Sequence, residues 1–440
     1  MLPFLLGNGH PVAFTWFVVC LSLLSVVLSF FVLKKLSGIY GAVLATILYS
    51  FAGFSVATTK FIWNPYPIVW LMPLYVLGLF AWTKQKPYGL PLAAGVTGLG
   101  IHFEAISGIT LIPTLGVMGI MEFTRHVALK QKAATLFVSL LVFALPFLPN
   151  LLFDLRHNFL ISSALYKTVA TGGANITHRP EEIPLPLAER IRLRTDDLLT
   201  YTVHAVTPNK TVNVLLFILL IAGGTMLYRK KRTDCLFVLL VVLTLLTPFC
   251  LFLTLKYSVW SYYWLANPPL YSLLLAFVLA SLVKDNRKLL PLLFVLIGVL
   301  LVAYNPLSAL NQWQRGDLRS GGQTFTTQRA IVQAIYKDAG TQDFSVYVLT
   351  PPVYDYVYRY LLWWQGTRQF HNLPKDEKQR LVYVILEQNP SDPDGTFFKK
   401  NVVRTARKPT KTFRFPGVRV EKIMTAPGEP PFDRNYLPVL

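Results

Sequence analysis

The chain has 440 residues, 53% of them hydrophobic, a mean hydropathy of +0.46 and a formal net charge of +20. That apolar content excludes an ordinary soluble globular protein, and apolar runs of about 17 to 25 residues recur, the length a helix needs to cross a bilayer. Much of the positive charge lies in short loops between those runs, which speaks for membrane topology and against nucleic acid as a partner.

Unpaired backbone groups are not tolerated in lipid, so helices are the default spanning element. The expected fold class is an α-helical polytopic membrane protein with about ten transmembrane helices and a small C-terminal extracytoplasmic α/β domain. The spans read Pro11–Leu33, Ile39–Ala57, Pro67–Trp82, Leu90–Ile101, Ala105–Met121, Ala134–Leu152, Thr211–Tyr228, Cys235–Leu255, Asn267–Val283 and Leu289–Tyr304. Residues 1–304 form the membrane domain, with a long outer loop at 154–210, and residues 305–440 the soluble domain. Cys20, Cys235 and Cys250 lie in or beside apolar spans without metal-ligand spacing. Met1 to Pro11 has no basic n-region, so no cleavable signal peptide is read there.

Basic loops alternate along the chain. Lys34-Lys35, Lys84 with Lys86, Arg125 with Lys130 and Lys132, Arg229 to Arg232, and Lys284 with Arg287 and Lys288 share one side. By the positive-inside bias that side is cytoplasmic. Trp63-Asn64-Pro65, His102-Phe103-Glu104, the 154–210 loop and Tyr257–Trp264 then face outward, as does the tail. The first span must run from outside to inside, although its N-terminal flank has no lysine or arginine. The expectation is that one or more upstream segments precede Met1.

In the tail, Thr327–Asp338 has helical spacing and Phe344–Leu349 is a β-branched and aromatic run. Val353–Trp364 reads as an aromatic-rich helix, Leu381–Leu386 as an alternating strand, and Phe413–Ile423 as a further strand. This order predicts an α/β unit with some parallel pairing.

Polar residues at the outer ends of spans are the candidate site: Trp63, Asn64, His102, Glu104, Asp154, Arg156 and His157. Ionisable groups at membrane depth are costly unless paired or hydrated, so they mark functional sites. One further helical turn would put Asp154 and His157 on one face. Plainer readings stand beside this one. Trp63 and the Tyr257–Trp264 cluster fit an interfacial aromatic belt, Asn64-Pro65 a helix-stopping turn, and Asp154 with Arg156 an interfacial ion pair. Glu181, Glu182, Glu189, Asp196 and Asp197 read as solvated. Arg190, Arg192 and Arg194 fit either phosphate recognition or the polar face of a surface helix.

The outward Trp63-Asn64-Pro65 after two spans, His102 at the next outer boundary and Phe153-Asp154-Leu155-Arg156-His157 after a further pair together resemble GT-C membrane glycosyltransferases. The nearest likeness is to the family 39 type, related to dolichyl-phosphate-mannose protein mannosyltransferases and lipid A aminoarabinose transferases. It covers about Gly7 to His157 and is architectural from there to Tyr304. The resemblance implies transfer of a sugar from a polyprenyl-phosphate carrier to an acceptor on the outer membrane face. A carboxylate base takes the acceptor proton and cations stabilise the leaving phosphate. In that family the base is an aspartate in the first outer loop, whereas here no Asp or Glu precedes Glu104. The resemblance therefore places the usual base in the segment expected upstream of Met1. For the chain as it stands, Glu104 and Asp154 are the catalytic candidates that would have to substitute, and Trp63, Asn64, His102, Arg156 and His157 the substrate-binding ones.

The expected partners are membrane lipid, a polyprenyl-phosphate-linked sugar donor and an acceptor the sequence does not name. The expected location is the cell membrane. No cofactor is firmly implied; a divalent cation at the carrier phosphate is compatible with the chemistry, but no ligand cluster argues for one. The alternatives are an inactive homologue or glycolipid-binding subunit and, third, a lipid-linked sugar transporter. The transporter ranks last because polar residues cluster at span ends rather than at mid-membrane.

Overall fold

The computed structural model describes residues 2–60, 64–125, 128–170, 184–207, 209–229, 235–285, 324–350, 355–389 and 392–432. Among these, six helices are long and apolar enough to cross a membrane: Pro11–Phe51, Ala105–Thr124, Leu129–Arg156, Lys210–Arg229, Cys235–Leu253 and Ser261–Ser281. Two shorter apolar helices, Pro67–Thr83 and Gly89–Phe103, accompany them. The expected tenth span, Leu289–Tyr304, lies outside the described residues.

In chain order the helices up to the long loop are α1 (Leu2–Leu6), α2 (Pro11–Phe51), α3 (Gly53–Lys60), α4 (Pro67–Thr83), α5 (Gly89–Phe103), α6 (Ala105–Ile109), α7 (Ile112–Thr124), α8 (Leu129–Ala144), α9 (Leu148–Arg156) and α10 (Leu160–Ala170). After it come α11 (Leu187–Leu198), α12 (Lys210–Arg229), α13 (Cys235–Leu253) and α14 (Asn267–Asp285).

Helix α2 would measure about 60 Å if straight, roughly twice a bilayer core. It is broken at Gly38, whose φ of 82° and ψ of −168° are not helical. Ser25 Oγ lies 3.0 Å from Tyr49 OH across 24 residues of sequence, so the chain doubles back. The two spans expected on either side of Lys34-Lys35 are the arms of a helical hairpin. The hydroxyls of this contact are satisfied inside the bundle, since Ser25 also reaches the Trp70 carbonyl at 3.1 Å and Tyr49 donates to the Val69 carbonyl.

Glycine lets α5 pack closely on both sides. A Cβ on Gly78 of α4 would sit 2.8 Å from Ala93 N, and one on Gly98 only 2.2 Å from the Phe143 carbonyl oxygen of α8. Small residues at such crossings bring helix backbones together where lipid supplies no hydrophobic drive.

The chain divides into two compact units, one of Pro11–Leu307 and one of Ser308–Leu440 together with Met1–His10. The second unit holds α15 (Phe325–Ala339), β1 (Phe344–Leu349), α16 (Tyr356–Gln365), β2 (Leu381–Glu387), β3 (Lys411–Phe415) and β4 (Val418–Met424). The sheet order is β1-β2-β4-β3. Strands β1 and β2 pair in parallel from Phe344↔Leu381 to Leu349↔Leu386, with α16 in the crossover, and the other pairs are antiparallel.

Every residue of β2 is buried because both faces are covered. Leu381, Tyr383 and Ile385 pack with Ile331, Ile335 and Leu361. Val382, Val384 and Leu386 pack with Phe398, Val402 and Val403. The single strand expected over Phe413–Ile423 is a hairpin, turned at Pro416-Gly417 with Gly417 at φ 69°. The N-terminal residues belong to this unit through named contacts: Arg368 Nη2 donates to Asn8 Oδ1 at 2.7 Å, Tyr360 OH donates to the Gly9 carbonyl, and the His10 ring meets Trp364 edge-on at 4.9 Å.

Candidate functional site

Glu104 sits in the break between α5 and α6. Its backbone is extended (φ −147°, ψ 101°), its N–H donates to Gly100 O at 2.8 Å, and its carbonyl accepts from Gly108 N at 2.9 Å. Both backbone groups of Glu104 are thus hydrogen-bonded at the turn, as a break between apolar helices beside lipid requires. Asn64 Nδ2 donates to the Phe103 carbonyl at 3.3 Å, so the structure brings Asn64 to this break. Burial pushes the Glu104 carboxyl above its ordinary range, with the Ile106 N–H drawing it partly back. His102 is exposed and meets Phe103 edge-on at 5.8 Å.

Aromatic residues of the 257–264 segment stand next to Glu104. Tyr263 lies within electrostatic reach of the Glu104 carboxylate and meets Tyr262 edge-on at 4.7 Å. Tyr263 and Trp264 are buried, and Ile106, Leu198 and Tyr201 pack around them. Trp260 is exposed. The belt reading therefore fits Trp260 and fails for Tyr263 and Trp264, which are interior.

The arginines of α11 have a structural task. Arg190 and Arg194 are one turn apart and face the C-terminal end of α13, whose last carbonyls lack helical partners and carry partial negative charge. Arg190 Nη1 donates to Leu253 O at 2.6 Å. Arg194, 2% exposed, reaches Phe252 O at 3.4 Å, Tyr257 O at 2.5 Å and Asp197 Oδ2 at 3.0 Å. Only Arg192 is the exposed surface residue of the plainer reading, paired with Glu189 at 2.6 Å.

Asp197, expected to be solvated, is held by the buried Arg194. Burial raises its carboxyl pKa against the pull of that arginine. Sequence reasoning misses this pair, although its i,i+3 spacing is visible. Glu181 and Glu182 lie outside the described residues.

Asp154 is 4% exposed, and its carboxylate accepts from Ile161 N at 2.6 Å, from Ser162 N at 2.9 Å and from the Ser162 hydroxyl. It caps the first turn of α10, whose leading N–H groups have no helical partner. Helix α9 stops at Arg156, so the extra turn that would align Asp154 with His157 is absent. His157 folds back, with Nδ1 2.8 Å from Phe153 O and its ring stacked on Phe153 at 3.9 Å. Arg156 is exposed and makes no ion pair with Asp154 among the described residues. No hydrogen bond or ion pair among them links Glu104 with Asp154, Arg156 or His157. Trp63 lies outside the described residues. Among those described, no group of three or more His, Cys, Asp or Glu side chains assembles to hold a metal ion.

No protein-family profile and no curated protein matches the sequence. Among solved structures the chain is similar to the crystal structure of ArnT from Cupriavidus metallidurans bound to undecaprenyl phosphate. Identity is 11% and the TM-score 0.56, over 96% of this chain and 86% of that one. It is also similar to ArnT from the same organism in the apo state, at 10% identity and a TM-score of 0.51, over 96% and 85%. At such identity the likeness shows the fold alone.

Proposed function

We propose that this chain is a membrane glycosyltransferase that draws its sugar from a polyprenyl-phosphate carrier. The observation that carries the reading is the fold shared over 96% of the chain with ArnT, a protein crystallised with undecaprenyl phosphate. The outward Trp63-Asn64-Pro65 and Phe153 to His157 segments support the family 39 type. Alternation of the basic loops supports chemistry on the outer face, with residues 305–440 extracytoplasmic.

In the reaction, an acceptor hydroxyl oxygen bonds to the anomeric carbon while the bond from that carbon to the carrier phosphate oxygen breaks. The hydroxyl proton passes to a carboxylate, and the electron pair leaves on the phosphate. Glu104 is the better base of the two candidates. Burial lifts its pKa toward working pH, whereas three donors already occupy the Asp154 carboxylate. Asn64 and His102 flank Glu104 as sugar-binding groups. Arg156, exposed and unpaired among the described residues, suits the carrier phosphate.

The test uses the full chain in liposomes holding undecaprenyl-phosphate glucose, mannose or arabinose and a mixed cell-envelope acceptor extract. Release of undecaprenyl phosphate, lost in Glu104→Gln, is the expected result. Undecaprenyl phosphate bound without release of sugar from any donor would favour a glycolipid-binding subunit. No binding at all would overturn both readings.

A further inference from the structure

A cavity of about 310 Å³ lies between the arms of α2, helix α3 and the start of α4. Its volume is at the lower end of the range for small-molecule sites, about 300–1,000 Å³. No lining residue carries a charge, and the walls present hydroxyls of Ser22, Tyr49, Ser55, Thr58 and Thr59 beside the Trp70 indole.

Three polar atoms of this lining are buried and have no partner among the described residues: Ser22 Oγ, Ser55 Oγ and Trp70 Nε1. Other helical hydroxyls nearby are satisfied by their own backbone, Ser29 at Val26 O (2.7 Å) and Thr46 at Ala42 O (2.9 Å). That is the usual outlet for serine and threonine within a helix. Thr58 and Thr59 likewise donate to Ser55 O (3.1 Å) and Val56 O (2.9 Å), which leaves their lone pairs able to accept. Buried polar atoms normally find partners, so three orphans around one void mark a place for a hydrogen-bonding guest.

We infer that this cavity binds the uncharged, hydroxyl-rich sugar ring of a membrane-resident glycolipid. A hydroxyl both donates and accepts, so a ring of them meets the serines in either sense and accepts from Trp70 Nε1. A phosphate there would be buried with no counter-charge. Val19, Leu23 and Val26 complete the wall, and Leu23 is 60% exposed, which leaves a path for an acyl or prenyl tail toward the bilayer. None of these residues belongs to the Glu104 break, and the inference stands without glycosyl transfer.

The test places the full chain in nanodiscs of phosphatidylethanolamine and phosphatidylglycerol with a few mole per cent of monoglucosyl diacylglycerol. Retained lipid is counted by native mass spectrometry. The expected result is at least tenfold enrichment over plain diacylglycerol, cut about tenfold by Trp70→Phe or Ser55→Ala and unchanged by Ser29→Ala. Trp70→Phe removes the N–H and keeps a ring, so it preserves packing. A parallel arm with undecaprenyl-phosphate glucose separates a carrier-linked sugar from a free glycolipid, and enrichment in either arm that the variants abolish supports the site. No enrichment, as from a cavity filled by water, overturns the inference. So does enrichment indifferent to both variants or preference for phosphatidylglycerol.

Discussion

Trp82 donates its indole N–H to Glu122 Oε2 at 2.8 Å, where Glu122 is 3% exposed. Arg125 completes the group, with Nη1 3.1 Å from the same oxygen and its guanidinium 4.3 Å from the Trp82 ring centroid. Glu122→Ala leaves a largely buried guanidinium without its counter-charge and is expected to cost about 3–5 kcal/mol. Glu122→Gln keeps an acceptor for Trp82 and costs less. Unfolding midpoints of the two variants in detergent check the order.

Glu104→Gln is expected to lower turnover by about a hundredfold or more, the low end of general-base contributions. Stability moves the other way. The folded carboxyl pKa is raised by burial, so the folded chain holds the proton more tightly than the unfolded one, and stability falls as pH rises through the window above the ordinary value near 4.5. The glutamine variant should therefore match wild type in acid and melt higher at neutral pH. A wild-type curve flat with pH would contradict the burial of this carboxyl.

Asp154 separates a cap from a base. Both carboxylate oxygens accept from backbone N–H groups, and asparagine keeps one of these acceptors while aiming an NH2 at the other donor. Asp154→Asn should therefore retain turnover within a few-fold but lose about 1–2 kcal/mol of stability. Asp154→Ala should lose about 1–2 kcal/mol. A collapse of turnover in the asparagine variant would return Asp154 to the chemistry.

Much of the helical layout is legible in the sequence because hydropathy and basic loops are local signals. The reversal at Gly38, just past Lys34-Lys35, and the break at Glu104 both fall where charge interrupts an apolar run. In the tail, Phe344–Leu349 coincides with β1, while Phe413–Ile423 hides a hairpin whose Pro416-Gly417 turn, a strong local breaker, outweighs the apolar pattern around it. The site is less legible. Arg194 and Asp197 are neighbours on one helix, but the carbonyls that explain Arg194 belong to Phe252 and Tyr257, about 60 residues away. The role of Asp154 as a cap depends on where the next helix begins, which no periodicity in that stretch announces.

Gly38→Ala tests the hairpin. Its φ and ψ lie in a region that glycine alone adopts freely, and nothing stands within 4 Å of where a Cβ would project. The expected cost is therefore conformational, about 1–3 kcal/mol, seen as a lower unfolding midpoint. Gly38→Asn should cost a similar amount, since that backbone region is not the left-handed helical one asparagine tolerates.

Lys411 and Lys422 face each other across β3 and β4, and Asp338 of α15 reaches both, at 2.6 and 2.7 Å, along with Tyr383 OH at 2.6 Å. Burial pulls the Asp338 carboxyl up, but bonds from Lys411, Lys422 and Tyr383 outweigh it and bring the pKa down to about 2. A depressed carboxylate contributes stability above its unfolded pKa near 4 and loses it as pH falls toward 2. Asp338→Asn should cost about 1–3 kcal/mol at neutral pH and flatten that acid limb, measured by denaturant unfolding from pH 2 to 7.

The contacts of Asn8 with Arg368 and of Gly9 with Tyr360 join positions 360 and 351 residues apart. At roughly 5–20 residues per second of synthesis, residue 8 waits on the order of 20–70 s for residue 368 to be made. Throughout that interval the membrane-spanning segments among the described residues that follow residue 10 are produced while residues 8 and 9 have none of these partners. Residues 8 and 9 gain these partners only after residues 360 and 368 have been made, so assembly of this unit is timed by the ribosome as well as by its own energetics.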